Sequence, residues 1–234
     1  RGTKVLPIAA GVVTAVIWGF SFIFTKDLLN HTFPNQVLGL RFATAVIVLL
    51  VLKGFGFIKL DFENKRWQAL IPLSIFQPGF YFLGETWGVN WTTASEAGMV
   101  IALAPIASTL IARAVLKEQV SLLQYLCILT SIAGVFVIVV ARNGLEFGRH
   151  LSGVAVLILA VIAQAIYSIL SKKSSEEFSP VEITYVMMCS GAIIFNVMGV
   201  VQSLTSGTAA SYFNPLGIPS VIVGILYLGG LASV

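Results

Sequence analysis

Apolar residues run along this chain in blocks of membrane-crossing length, and the polar residues fall in short knots between them. A helix needs about 20 apolar residues to cross a hydrocarbon core of ~30 Å. Seven blocks meet that length: Val5–Thr25, Pro34–Leu52, Ala69–Val89, Ala97–Leu116, Leu122–Ala141, Leu151–Ser171 and Val181–Leu204. An eighth begins at Ile218 and runs to the end of the sequence. The connections are short, so consecutive helices are expected to pack antiparallel, with no room for a soluble domain. Small residues recur at helical spacing, Gly11, Ala15 and Gly19 in the first block and Gly84 and Gly88 in the third. Such faces let helices approach closely in lipid.

The blocks also repeat. At a fixed offset of 146 residues Lys26 matches Lys172, Pro34 matches Pro180, Tyr81 matches Tyr227 and Gly84 matches Gly230, without a gap. Each copy would carry five blocks in full, and because five is odd the second copy enters the membrane from the opposite side. The predicted fold class is an all-α polytopic membrane protein built as an inverted repeat of five-helix units. The first unit covers residues 1–141, and the second covers 151–234 and stops within its third helix. Inverted repeats of this kind place a substrate site at the repeat interface near the bilayer midplane. The sequence starts at Arg1 without a Met and ends inside an apolar run at Val234, and is read as part of a longer chain. Its first apolar stretch is long enough to span, so no cleavable signal peptide is expected.

Composition agrees with the pattern. The chain is 57% hydrophobic and 10% charged, with a mean hydropathy of +0.95, where soluble domains are about 25% charged. The net charge of +4 is therefore a matter of topology and not a sign of nucleic-acid binding. Arg1, Lys4, Lys53, Lys59, Lys65, Arg66, Arg113, Lys117, Lys172 and Lys173 fall on one side, and Lys26, Arg142 and Arg149 on the other. Short cytoplasmic loops carry the excess of Lys and Arg, which puts the N-terminus in the cytoplasm and the chain in the plasma or inner membrane. Trp67 marks the inner interface, and Trp87, Trp91 and Tyr212 the outer one. Cys127 and Cys189 lie inside apolar blocks without metal-ligand spacing and read as small packing residues.

The order of short motifs adds a resemblance. The first block carries Trp18-Gly19 and ends at Lys26, and Pro34 precedes Leu40-Arg41-Phe42. The fourth carries Leu103-Ala104-Pro105 and ends at Leu116-Lys117-Glu118, and the fifth holds Gly134-Val135. The sixth runs from Gly153 past Tyr167 to Lys172-Lys173, and Pro180 opens the seventh. Over essentially its whole length the chain resembles the EamA family of the drug/metabolite transporter superfamily. That resemblance implies ten helices in full, of which about seven and a half are present here, with both termini cytoplasmic and a central cavity. It also implies export or exchange of small metabolites, often amino acids and related compounds.

Within the blocks, ionisable residues are the first candidates for function, because they are costly in hydrocarbon and face a cavity or a partner. Glu85 lies in the outer part of the third block, and its repeat counterpart is the apolar Leu231. It is a candidate for substrate or proton contact, against the plainer role of a structurally paired carboxylate. Arg41 lies about 10 Å below the outer boundary at 1.5 Å per residue, a depth comparable to that of Glu85, so a direct or water-mediated pair is expected. For Arg41 itself a structural or gating role is favoured over substrate contact. Trp18, Phe22, Tyr81, Gln164, Tyr167 and Tyr227 form a second candidate group for substrate binding. Trp18 and Gln164 are repeat-equivalent, as are Tyr81 and Tyr227. Aromatic faces suit apolar or cationic ligand parts, and Gln164 offers a donor and an acceptor. Pro105 removes a backbone hydrogen bond in mid-block and is expected to bend the helix. Ser95 is placed to cap the fourth helix. His31 and His150 fall at the outer surface and are expected to be solvated, and Lys26 with Asp27 to anchor the outer interface.

No HExxH, GxSxG, Walker A loop or Cys/His metal cluster occurs, so neither an enzyme nor an ATP-driven pump is expected on this chain, and no cofactor. The expected function is a secondary carrier that exports a small amphipathic metabolite by alternating access. Its partners are that small molecule, the lipid bilayer and a proton or counter-substrate, with no nucleic acid, and the protein is expected as a monomer or homodimer. The rival reading is a non-transporting receptor or scaffold. A seven-helix receptor requires an extracellular N-terminus, which the charge distribution opposes.

Overall fold

The computed structural model describes residues 5–63, 65–116, 121–143, 149–207 and 212–234. Arg1, Lys4 and Lys117 of the topology argument, and Glu118 of the Leu116-Lys117-Glu118 motif, lie outside the described residues. Among the described residues there are helices and turns and no strand. The chain is an all-α polytopic membrane protein, with runs at Ala9–Leu28, Pro34–Gly54, Ala94–Val115, His150–Ser174 and Pro180–Thr205 long and apolar enough to cross a membrane. Leu122–Val137 and Pro219–Leu231 are shorter apolar helices.

Helix α1 (Val5–Leu28) runs from what is here called the near side to the far side, and α2 (Pro34–Gly54) returns, its start set by Pro34 in the first turn. The third span is not the continuous helix expected from the block Ala69–Val89. It is assembled from a 3₁₀ turn (Trp67–Leu70), α3 (Ile71–Ser74), a π turn (Ile75–Phe80) and α4 (Tyr81–Trp91). Gln77 has φ −144° and ψ 115°, an extended conformation inside the span. The cause is local: Pro78 lacks an N–H and disfavours helical geometry at the residue before it. The fourth span is also in two pieces, α5 (Ala94–Ile101) and α6 (Ala104–Leu116), with Pro105 at the second position of α6. The fifth, sixth and seventh spans are α7 (Leu122–Asn143), α8 (Arg149–Ser174) and α9 (Pro180–Thr205), and the eighth is α10 (Pro219–Leu226) followed by a π turn at Tyr227–Leu231.

Capping boxes start two of these helices. Ser179 and Glu182 satisfy each other's backbone N–H groups at α9, and Thr93 and Glu96 do so at α5. The cap of the fourth span is thus Thr93 rather than the expected Ser95, because the Thr93-to-Glu96 spacing lets both side chains work at once.

The core forms where spans from the two halves of the sequence meet. Helices α2 and α9, which are equivalent at the 146-residue offset, pack against each other. Phe42 stacks on Phe195 at 5.5 Å, Asn196 donates to the Gly39 carbonyl oxygen at 2.9 Å, and Gly191 lies flat against the Phe42 ring. Helix α4 packs on α8, and α1 packs on α10, so the third span meets the sixth and the first meets the eighth. The small residues of the third block have the expected use: a Cβ on Gly88 would lie 2.4 Å from Leu157 Cγ, and one on Gly84 3.1 Å from Ala160. Those of the first block do not. A Cβ on Gly11 or Gly19 would meet nothing within 4 Å, and Gly19 with Ala15 lines a cavity instead.

Both ends of the bundle are tied by polar contacts between the halves. On the far side Gln36, in the first turn of α2, donates to the Tyr212 carbonyl oxygen. On the near side its offset equivalent Glu182, in the first turn of α9, accepts from Asp61 N at 3.0 Å and from Lys65 Nζ at 2.7 Å. Each closes the loop leading into the other half's third helix. Tyr212 is consequently buried and not the interfacial belt residue expected of it. His150 differs from expectation too, standing 3.6 Å from Glu96 at the far side and three-quarters buried.

The α4–α8 contact is tight and α7 is open at Gly134, where an added Cβ meets nothing within 4 Å. Gly88→Leu should lower the melting temperature of the purified protein in detergent, by the ~1–3 kcal/mol that overpacking costs. Gly134→Leu should leave it near the parent value. Equal melting temperatures for the two variants would contradict the close approach of α4 and α8.

Candidate functional site

Two adjoining cavities lie between the halves. The larger, about 1020 Å³, is mostly apolar and is bounded by α1, Tyr81, both pieces of the fourth span and α8. The smaller, about 210 Å³, is bounded by residues of six spans: the first, second, third, sixth and seventh, and Ile101 of the fourth, with Ala232 and Ser233 closing it. Trp18, Phe22, Tyr81, Ile101 and Gln164 stand in the walls of both.

Two buried charges line the small cavity. Arg41 and Glu85 are 4% and 2% exposed. Arg41 Nη1 lies 4.0 Å from Glu85 Oε2, so the pair expected from their depths forms. Burying an ion costs several kcal/mol even after relaxation, and the surroundings of Arg41 show how that cost is offset. Its Nε donates to Ser233 Oγ at 2.9 Å, and Ser233 Oγ donates to the Leu228 carbonyl oxygen at 2.7 Å. The guanidinium lies over the Phe82 ring, 4.4 Å from its centroid, in a cation–π contact. Phe82 is in turn held edge-on by Phe42 at 5.1 Å and by Tyr81 at 4.9 Å. The charge is thus fixed from three places at once, α2, α4 and Ser233 just past the π turn of the eighth span.

Of the residues singled out from the sequence, Trp18, Phe22, Arg41, Tyr81, Glu85, Gln164 and Tyr167 all line the small cavity. Repeat-equivalent positions face it from both halves: Trp18 with Gln164, Ser21 with Tyr167, and Arg41 with Met187. Of the two cavities, Pro105 lines the large one. Tyr227 lines neither. Its hydroxyl donates to the Ile17 carbonyl oxygen at 2.9 Å and its ring stacks on Phe24 at 4.3 Å, so it joins the eighth span to the first.

Sequence reasoning missed three contributors. Gln77 reaches the cavity because the third span breaks there, and Pro78 was the only sign of that. Ser233 sits at an apolar chain end that carried no pattern. Lys26 does more than anchor an interface: its Nζ donates to the carbonyl oxygens of Val89 (2.8 Å) and Thr92 (2.6 Å) at the end of α4. These are unpaired acceptors at a helix C-terminus, where a cation is favoured. Lys26 so holds α4, and Glu85 with it, against α1.

With this geometry in hand, comparison with known proteins points in one direction. The sequence model of the EamA-like transporter family matches residues 5–140. The chain is 31% identical over 224 residues to the protein named Uncharacterized transporter YcxC of Bacillus subtilis (strain 168), covering 96% of the chain and 72% of that relative. It is 25% identical over 184 residues to an uncharacterized transporter of Archaeoglobus fulgidus, covering 77% of the chain and 63% of the relative. Uncharacterized transporter YyaM of Bacillus subtilis is 24% identical over 211 residues, with 87% and 67% covered. The chain thus spans about two-thirds to three-quarters of the length of these relatives.

The ion pair predicts a specific pattern of coupling. Arg41→Met and Glu85→Leu, which install the residues found at the equivalent positions 187 and 231, should each destabilise the protein. Breaking a buried pair from one side costs ~3–5 kcal/mol. The double variant should be less destabilised than the sum, by ~0.5–3 kcal/mol as for residues in contact. A thermal-denaturation cycle showing simple additivity would mean that the two side chains do not sense each other.

Proposed function

The chain belongs to the EamA-like transporter family, and from that premise we propose that it is a secondary carrier whose substrate site is the small cavity around Arg41 and Glu85. That it is a membrane transporter follows from the family. The mode, the site and the cargo are the proposal. The observation that carries it is the set of residues 146 positions apart that line one cavity holding two buried charges. A carrier that alternates between two access states needs such a space near the axis relating its halves.

In this reading the halves are inverted five-helix repeats that rock about the α2–α9 contact. The Gln36–Tyr212 contact is the far-side closure, and Glu182 with Lys65 and Asp61 is the near-side closure. Opening one while the other holds alternates access. The interruptions at Gln77 and at Ala102–Leu103 lie where the spans bend, and Pro105 keeps the second from healing into a continuous helix. Arg41 is the structural charge, held by Ser233, Phe82 and Glu85. Glu85, Trp18, Phe22, Tyr81, Gln164 and Tyr167 contact substrate. Tyr227 acts from outside the cavity by fixing the eighth span to the first. The cargo is a small amphipathic metabolite, its apolar part against the aromatic walls. Export is the direction, and a proton on Glu85 or a counter-substrate is the coupling species. The N-terminus lies in the cytoplasm, so the near side is the inner side.

Purified protein in liposomes should exchange at least one member of a metabolite panel, and Glu85→Gln should reduce that flux more than tenfold while the protein still elutes as a folded species. A panel that moves in a verified carrier run in parallel but never here would refute the carrier. Undiminished flux in folded Glu85→Gln would remove the site. For orientation, a cysteine placed at Lys59 on the near side should react with a membrane-impermeant maleimide only after cells are opened, and labelling of intact cells would reverse the assignment.

A further inference from the structure

Three buried polar atoms of the small cavity have no hydrogen-bond partner: Gln77 Oε1, Glu85 Oε2 and Gln164 Oε1. Gln77 and Glu85 are 9% and 2% exposed, so bulk water does not satisfy them. Buried polar groups in native proteins are almost always paired, and each exception asks for an explanation. The cation of the cavity, Arg41, is engaged at its Nε by Ser233 and at one face by Phe82. Its Nη1 stands 4.0 Å from Glu85 Oε2, close enough for charge attraction but beyond hydrogen-bond length, so the buried carboxylate oxygen is left without a hydrogen-bond donor. Side-chain amides can present either a donor or an acceptor, whereas an ionised carboxylate can only accept. Glu85 therefore decides which polarity of ligand the cavity satisfies.

We infer that the cavity takes its ligand by an amino group: a small primary amine with an apolar or aromatic body, donating to Glu85 and completed by Gln77 and Gln164, and not a carboxylate held by Arg41. A primary ammonium carries three N–H donors, and three acceptor atoms on residues that line the cavity lack a hydrogen bond. Trp18, Phe22, Tyr81 and Tyr167 stand around them. An ammonium and an aromatic body both suit such rings, the first through the ring quadrupole and the second through stacking. This inference rests on the reading of the small cavity as the substrate site, and it narrows the class of molecule that fits there.

The test uses three probes with one body and different polar ends: 2-phenylethylamine, 2-phenylethanol and 3-phenylpropionate. Each is titrated by calorimetry into the purified chain in lipid nanodiscs, and the same three are assayed for flux in liposomes. The amine should bind at least tenfold more tightly than the alcohol or the carboxylate. Glu85→Gln should remove most of that preference, and Gln164→Met, which keeps the side-chain volume, should weaken the amine several-fold more than the alcohol. If Glu85→Gln fails to fold, the Gln164→Met titration decides. A carboxylate or alcohol that binds as tightly as the amine, no binding of any probe, or an amine affinity untouched by both variants would overturn the inference. The two readings separate cleanly. Selective amine binding without flux upholds the inference and counts against the carrier, whereas flux of other compounds without amine selectivity overturns the inference and leaves the carrier standing.

Discussion

The arrangement of this protein turns on one buried contact, Arg41 beside Glu85 in the middle of an apolar bundle. Neither charge is tolerable alone in hydrocarbon. Their attraction offsets only part of the desolvation, so further groups must converge on them. Ser233 comes from the eighth span, Phe82 from the third, and Phe42 and Tyr81 buttress Phe82. The requirement to satisfy one guanidinium thereby fixes how α2, α4 and the end of the eighth span sit relative to one another. The small cavity is lined by both charges and by the Ser233 and Phe82 that hold the guanidinium.

The rest of the bundle treats the two halves alike at its ends and differently at its centre. Gln36 and Glu182 occupy equivalent positions and both reach from the first turn of a helix to the opposite half's loop, one with an amide and the other with a carboxylate. At the centre Arg41 faces Met187 across the same cavity, and Trp18 faces Gln164. Even the helical irregularities differ, the third span breaking before Tyr81 and the eighth widening at Tyr227. That offset explains why one tyrosine lines the cavity and its equivalent is turned to Phe24 and Ile17. Matching ends with unlike centres suit the proposed carrier, which would close on both sides yet recognise a ligand that has no symmetry of its own.

Much of this was legible in the chain because the membrane makes length and depth readable. Block lengths marked the spans, and counting residues from Pro34 and from the far end of the third block placed Arg41 and Glu85 at one depth. What could not be read depended on how helices cross. Lys26 caps α4 only because α1 passes the end of α4, and no spacing in the sequence carries that information. The break at Gln77 was hidden because the block around it is continuously apolar and a single proline gives weak notice. Thr93 was a different kind of miss, since its capping box with Glu96 is a local signature that Ser95 obscured.

In the proposed carrier the halves rock about the α2–α9 contact and so alternate access to the Arg41–Glu85 cavity. This motion is tested most directly by distances across the two faces. Spin labels at Lys59→Cys and Glu176→Cys report on the near side, and labels at Asn30→Cys and Asn214→Cys report on the far side, with Cys127 and Cys189 replaced by serine. Double electron–electron resonance in lipid, with and without a transported ligand, should show one distance lengthening as the other shortens. Two faces that open together, or that keep fixed distances while the same sample exchanges substrate, would contradict it.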